Sequence, residues 1–293
     1  MRIPYVDKMT SPVFLLVLIS AISHAAWNLA ARKAAGNIVA VWLGLWFGCA
    51  LIFPVVIGIV AYKGLPKTVP VQPIICIIAT GLIHSVYFRL LAAGYEHGEI
   101  SLVYPIARGS GIALTAILAS LFFKENFALL GSAGIGLISA GIISLSAAAE
   151  RKANDAKVIT LAFSIGATIV AYSLVDKTGV RYINPVVYIW SMFLIAAVFL
   201  TPFVVRRYRG MLWKTTRQYL GYAVVIGVGS IATYLIILFA FTMGRVGYIV
   251  AVRELAIVLG ALAGIIFLKE RFTIPKAIAI CTIVIGIMCI KLS

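Results

Sequence analysis

The chain has 293 residues, of which 63% are hydrophobic and only 12% are charged, and its mean hydropathy is +1.09. A soluble domain has about 25% charged residues, so this composition excludes an ordinary soluble protein and indicates a chain that crosses a lipid bilayer several times. The net charge of +16 falls mainly in short gaps between apolar runs, which is typical of loops beside anionic lipid head groups, so we expect the plasma (inner) membrane and no nucleic-acid partner.

Ten apolar runs are long enough to cross the bilayer as helices. A spanning helix needs about 20 apolar residues, and helices are favoured because an open sheet edge is not stable in hydrocarbon. The first run follows Arg2 and Lys8 as in a signal peptide, but its length predicts a retained span. In chain order, the predicted spans cover residues 12–31, 38–62, 73–93, 100–123, 127–147, 157–176, 184–205, 218–243, 246–268 and 274–291.

The sequence repeats itself at a shift of 145 positions. Each copy contains five spans, and because five is odd, the second copy must enter the membrane from the opposite side. Inverted repeats are typical of secondary transporters, with the substrate site near the midplane. We therefore expect two inverted repeats, residues 1–148 and 157–293, around a central cavity. The shift places Trp27 on Tyr172, Arg108 on Arg253, Phe122 on Phe267, Lys124 on Lys269, Glu125 on Glu270, Phe127 on Phe272 and Gly141 on Gly286.

One pattern recurs before the last span of each repeat. An apolar span closes on "FFKENF" in the first repeat and on "FLKERF" in the second. Together with the five-plus-five spans, this pattern resembles the EamA type of the drug/metabolite transporter superfamily over the whole chain. The resemblance implies an all-α integral membrane fold of ten helices, in which the first four helices of each half line the cavity. The chain departs from the family in its ninth span, where Val250 replaces the proline that the fourth span has as Pro105.

Two arginines lie deep inside predicted spans. Arg108 and Arg253 are each roughly 12 Å from the start of their span, and an arginine at the bilayer centre costs at least about 2.5 kcal/mol. Each must therefore face an acid, backbone carbonyls, water or a ligand. Glu254 is the one acid that lies well inside a predicted span, whereas Asp176 is expected at the end of one.

Two interpretations of these charges stay open. In a structural one, Arg108 and Glu254 form a buried bridge between the halves, and Arg253 caps backbone carbonyls. In a functional one, both arginines hold a substrate carboxylate or phosphate, while Glu254 binds a substrate amine or takes up a coupling proton. The functional interpretation predicts a secondary transporter of a small anionic or zwitterionic metabolite, in the amino acid or organic phosphate or phosphonate class, that works by alternating access.

Aromatic and polar side chains at similar depth complete the predicted site. An aromatic wall can also hold a quaternary ammonium group by cation–π contact. This property supports an alternative function, in which Glu254 exchanges a proton for a cationic drug or a choline-like amine. The candidate binding residues besides the three charged ones are Trp27, Asn28, His84, Tyr87, Tyr104 and Tyr172, with His24 nearby.

The ends of two spans and one helix face are predicted to be structural. The pairs Lys124–Glu125 and Lys269–Glu270 lie at membrane exits, where the acid is expected to meet the N-terminus of the next helix. Ser132, Gly136 and Ala140 recur at every fourth position and predict close helix packing, with a homodimer through this ridge as a further option.

Other function classes find no support in the sequence. The sequence contains no Walker A motif, so we do not expect ATP to drive transport. The four cysteines form no CxxC pair and the three histidines no HExxH motif, so we expect neither a metal nor a cofactor. No nucleophile–base set lies at the expected midplane, so we do not expect an enzyme.

Overall fold

The computed structural model describes residues 9–31, 34, 37–63, 71–98, 100–147, 156–268 and 272–293. The regular structure in these ranges is helical throughout. The helices are α1 (Ser11–Ala30), α2 (Ile38–Lys63), α3 (Val71–His97), α4 (Ile100–Phe123), α5 (Leu129–Ala147), α6 (Ala156–Gly179), α7 (Pro185–Tyr208), α8 (Leu212–Met243), α9 (Val246–Arg253), α10 (Leu255–Leu268) and α11 (Ile274–Leu292).

These helices form the ten predicted spans. Nine stretches of the described chain are long and apolar enough to cross a membrane, if α9 and α10 count as one stretch from Val246 to Phe267. The tenth, Leu129–Leu145 in α5, is apolar but shorter. The prediction of an all-α, ten-helix membrane fold is confirmed. The sixth helix continues to Gly179, so Asp176 lies inside it rather than at its end.

Local sequence signals explain where several helices begin. Pro12, Pro185 and Pro275 each lie in the first turn of their helix, where the missing N–H is not needed. Asn184 caps α7, because its side-chain oxygen accepts a hydrogen bond from the Val186 N–H at 2.9 Å. These signals set the boundaries of spans whose interiors are too uniformly apolar to do so.

Among the described helices, α5 and α11 share the most extensive contact. Glycines on both helices form it. A Cβ on Gly141 would lie 3.0 Å from the Ala279 carbonyl oxygen, and one on Gly286 would lie 2.6 Å from the Gly134 carbonyl oxygen. The shift of 145 positions exchanges these two contacts. The two helices run antiparallel, as an inverted repeat requires of equivalent helices, and the division of the chain at 1–148 and 157–293 stays a prediction.

The predicted packing ridge lies on the wrong face of α5 for this contact. Ser132, Gly136 and Ala140 are exposed, and a Cβ on Gly136 would meet no atom within 4 Å. The close approach uses Gly134 and Gly141 instead, because only there does the backbone of α11 come near. The prediction of close packing through the ridge is therefore wrong within the described chain, and the predicted homodimer through it remains untested.

Candidate functional site

Arg108 and Glu254 form a buried ion pair between the two halves of the chain. Arg108 is 5% exposed and Glu254 is 2% exposed. The Nη1 atom of Arg108 donates a hydrogen bond to Oε1 of Glu254 at 2.9 Å. This is the bridge that the structural interpretation predicted, and it neutralises one of the two arginines predicted deep inside spans.

The ninth span is interrupted at the residue that makes this pair. Glu254 has φ −71° and ψ −1°, and its N–H donates to the Ala251 carbonyl at 3.1 Å. One tight turn therefore separates α9 from α10. Neither glycine nor proline stands at the break, so no local pattern marks it, and the predicted span 246–268 runs through it without interruption.

Arg253 is buried without an ionic partner among the described residues. It is 9% exposed, and its guanidinium carbon lies 5.4 Å from the centre of the Tyr234 ring. Its Nε atom is buried and has no hydrogen-bond partner in the part of the chain that the structure describes. In place of the predicted carbonyl capping, the arginine therefore makes a cation–π contact and keeps an unused donor.

An aromatic cluster surrounds the two arginines. His84 and Tyr172 stack with ring centres 4.4 Å apart, and Tyr87 and Tyr234 contact Tyr172 edge to face at 5.8 and 6.1 Å. These contacts bring together three of the predicted site residues. Tyr234 was missed by sequence reasoning, because nothing in its span distinguishes it from a packing tyrosine.

The arginines and this cluster face the same region. Tyr104 lies under the guanidinium of Arg108, with 5.2 Å between the guanidinium carbon and the ring centre. Both guanidinium groups are electrostatic neighbours of Tyr172. Arg108 and Arg253 therefore both lie near Tyr172, and their convergence on a substrate site stays a prediction.

Helix α1 adds two nitrogen atoms without partners to this region. His24 contacts Trp27 edge to face at 5.2 Å, and both arginines are electrostatic neighbours of His24. Nδ1 of His24 and Nε1 of Trp27 are buried and have no hydrogen-bond partner among the described residues. Asn28 is exposed, and its amide donates to the His24 carbonyl of its own helix at 2.8 Å, so it lies apart from this cluster.

Asp176 is a buried acid that sequence reasoning placed at a membrane surface. It is fully buried, and its Oδ1 accepts a hydrogen bond from the Tyr188 hydroxyl at 2.8 Å. Its Oδ2 accepts a hydrogen bond from the Tyr234 hydroxyl. The signal that marks it is an acid within the last turn of a span, but hydropathy along the chain cannot tell whether other helices cover such a residue.

Glu125 caps a helix that is distant in sequence. It is 1% exposed and accepts hydrogen bonds from the Val246 and Gly247 N–H groups at 2.9 and 3.3 Å. It therefore meets the N-terminus of α9 rather than that of α5, which corrects the prediction. Burial raises the pKa of this carboxyl, and the two amide donors and Lys177 oppose the rise. Lys269 and Glu270 lie outside the described residues.

Lys177 caps the C-terminus of α8, the helix before α9, at the same end of the molecule. Its Nζ donates to the Phe241 carbonyl at 2.5 Å and to the Gly244 carbonyl, so it satisfies the C-terminal carbonyls of α8. Glu125 and Lys177 therefore hold the two sides of the α8–α9 connection. Within the described ranges, no three His, Cys, Asp or Glu side chains are grouped as a metal site needs.

A family comparison agrees with this architecture. Residues 156–292 match the sequence model of the EamA-like transporter family. The second half of the chain is an EamA-like transporter domain. The predicted resemblance to the EamA type of the drug/metabolite transporter superfamily is confirmed.

Similar proteins are found by sequence and by fold. The chain is 26% identical over 104 residues to "Uncharacterized protein MJ1333.1" of Methanocaldococcus jannaschii, covering 36% of this chain and 75% of that protein. It is 40% identical over 57 residues to "Uncharacterized protein y4nH" of Sinorhizobium fredii, covering 20% and 49% respectively. One solved structure, described only as "Crystal structure of protein", matches with a TM-score of 0.72 at 17% identity over 97% of this chain and 99% of its own.

These findings define the protein at a coarse level. It is a multi-pass membrane protein of a transporter family, and that family consists of transporters rather than enzymes. The likeness to the solved structure, at its low identity, shows the fold alone.

Proposed function

We propose that this EamA-like protein is a secondary transporter of a small anionic or zwitterionic metabolite, of the amino acid or organic phosphate or phosphonate class, in the plasma (inner) membrane. The observation that supports this proposal is the guanidinium of Arg253, which is buried, has no ionic partner among the described residues and keeps an unused Nε donor. A carboxylate or phosphate is the group that a guanidinium binds best.

The balance of charges favours an anion over a cation. Glu254 neutralises Arg108, whereas Arg253 forms no ion pair among the described residues. Removing a charge from water without a partner costs several kcal/mol, and a bound anion offsets that cost. The unpartnered nitrogens of His24 and Trp27 supply further donors to the same ligand.

The other predicted residues have supporting roles in this proposal. Arg108 and Glu254 border the site, and the second carboxylate oxygen of Glu254 binds the amine of a zwitterionic substrate. Tyr87, Tyr104, Tyr172 and His84 form an aromatic wall that fixes the orientation of the substrate. Asn28 joins the site only when α1 moves.

Transport follows from motion of the two predicted repeats, 1–148 and 157–293. In alternating access, one repeat rocks against the other around a fixed site near the midplane. The Arg108–Glu254 pair joins α4 of the first repeat to the α9–α10 break of the second. We propose that the break lets α9 and α10 tilt separately while this pair holds.

The alternative function, exchange of a proton at Glu254 for a cationic drug or a choline-like amine, draws on the same aromatic wall. Tyr172 and His84 offer ring faces that suit a quaternary ammonium group. Against this alternative, protonating Glu254 would break its ion pair with Arg108 at 2.9 Å and leave that arginine buried without a partner.

A thermal-shift panel on the purified full-length protein tests the proposal. Ligands that bind the folded state raise the apparent melting temperature. We expect stabilisation by one of a set of carboxylates, amino acids, phosphates and phosphonates, but not by their neutral amides or esters or by choline. The variant Arg253→Gln should lose this stabilisation.

Arg89→Gln is the matched control. Arg89 also lies within a span, but it is exposed and its guanidinium lies 4.6 Å from the ring centre of Phe203, so its loss should leave the ligand response intact. Stabilisation that survives Arg253→Gln would contradict the proposal, and stabilisation by choline that Glu254→Gln abolishes would support the alternative.

A further inference from the structure

Asp176 is a buried carboxylate that no cation neutralises among the described residues. Its two oxygens accept hydrogen bonds from the hydroxyls of Tyr188 and Tyr234. These two hydroxyls, and that of Thr80 beside them, are neutral donors that orient the carboxylate but do not balance its charge. A buried carboxylate in this situation takes up a proton when its surroundings stop favouring the negative charge.

The groups around Asp176 come from every helix that packs near it. Helix α4 packs on α6 about one turn before Asp176. There Arg108 is a neighbour of Tyr172 rather than of Asp176. Lys177, the next residue on α6, directs its ammonium group to the carbonyls at the end of α8. The titratable neighbours are Cys76 and His84 on α3, Tyr188 on α7 and Tyr234 on α8, with Arg253 of α9 behind the Tyr234 ring.

Seven charged residues are buried in the described chain, four cations and three acids, and two of opposite charge stand apart from the polar contacts that hold the other five. Arg108 and Glu254 pair with each other, while Glu125, Lys177 and Arg245 hold the α8–α9 connection. The remaining two are Asp176 and Arg253. Both contact Tyr234, one through the hydroxyl and the other over the ring face.

We propose that Asp176 is the proton-binding site that couples transport of an anion at Arg253 to the movement of one proton in the same direction. This inference rests on the proposed function. In the empty site, the charges of Arg253 and Asp176 cancel. A bound monoanion cancels Arg253, and the carboxylate of Asp176 then takes one proton from water at the open side.

The coupling follows from electroneutrality. The empty site and the site loaded with both anion and proton carry no net charge, whereas a site loaded with only one of them does. Moving a net charge through a low-dielectric region is costly, so only the empty and fully loaded forms change sides readily. Tyr234 is a positioning residue that holds the two partners at a fixed separation.

Direct observation of the Asp176 carboxyl tests this inference without any substrate. The chain has three aspartates, Asp7, Asp155 and Asp176, so aspartate with an isotope-labelled carboxyl carbon gives three resolvable signals in protein reconstituted in nanodiscs. The signal missing from Asp176→Asn should change position between mildly acidic and mildly alkaline pH. Arg253→Gln should shift the pH of that change, and Arg181→Gln, at an exposed position, should not.

Several outcomes would overturn the inference. These are a signal that stays fixed over the whole pH range, a signal that moves with sodium at constant pH, and a titration that Arg253→Gln leaves unchanged. If Asp176→Asn does not fold, Asp7→Asn and Asp155→Asn identify the remaining signal by elimination. Failure of the anion panel leaves these signals unaffected, so a failed proposed function and a failed proton site are told apart.

Discussion

At the scale of single residues, the site is organised by which buried charges have partners. Arg108 is matched by Glu254, whereas Arg253 has a ring face and an unused donor. The two arginines are equivalent in the sequence repeat, yet their surroundings differ. Under the proposed function, this difference suits an asymmetric substrate, with Arg108 as a structural support and Arg253 as the ligand.

The Arg108–Glu254 pair predicts a strongly non-additive response to mutation. Arg108→Met should destabilise the protein by about 3–5 kcal/mol, because it leaves Glu254 buried and unpaired. The double variant with Glu254→Leu should recover most of that loss, since two apolar side chains need no partner. Thermal unfolding in detergent of both single variants and the double variant measures the coupling. Equal and additive losses would mean that the pair contributes nothing.

The sequence predicts the burial of some residues of this site but not of others, for physical reasons. The depth of Arg108, Arg253 and Glu254 could be read from the sequence, because a charge inside an apolar run is conspicuous and must find a partner. Asp176 could not be placed in the same way, because its burial depends on the covering helices α3, α7 and α8. The contact of Glu125 with α9 rather than α5 has the same origin, since the nearest N-terminus in space is not the nearest in sequence.

At the scale of helices, two features differ from what span length and hydropathy predict: the break in the ninth span and the glycine contact between α5 and α11. The number of spans followed from length and hydropathy, because the bilayer fixes how many apolar residues a crossing needs. The break at Glu254 did not, because tertiary contacts of its side chain maintain it. The prediction of which face of α5 makes close contacts is also wrong. Gly134 and Gly136 are equally small, and only the position of α11 distinguishes them.

The glycine contact predicts opposite effects for two similar substitutions. Gly286→Ala adds a Cβ about 2.6 Å from the Gly134 carbonyl oxygen, so we expect a loss of about 1–3 kcal/mol. Gly136→Ala adds the same group where no atom lies within 4 Å, so it should be neutral or slightly stabilising through helix propensity. Melting temperatures in detergent compare the two. A loss for Gly136→Ala as large as that for Gly286→Ala would contradict this packing.

At the scale of the whole molecule, the described end of the bundle that contains the α8–α9 connection is held closed by polar contacts between distant segments. Arg245 donates to the Asn126 carbonyl, and Glu125 binds the start of α9. These contacts join the α4–α5 connection of the first half to the second half. Alternating access, as proposed, requires these contacts to separate when this end opens. A link between the two segments should therefore hold the molecule in one access state.

A reversible cross-link at this end should therefore trap one access state. We place cysteines at Asn126 and Arg245 in a chain without its four native cysteines, add a third cysteine at Tyr172, and cross-link the first two with a short cleavable reagent. An impermeant thiol reagent should then label position 172 from the opposite face only, because the closed end blocks the other route. Cleaving the linker should restore labelling from both faces, and each single-cysteine variant at 126 or 245 serves as a control. Labelling that is unchanged by the cross-link would show that this end does not open during the cycle.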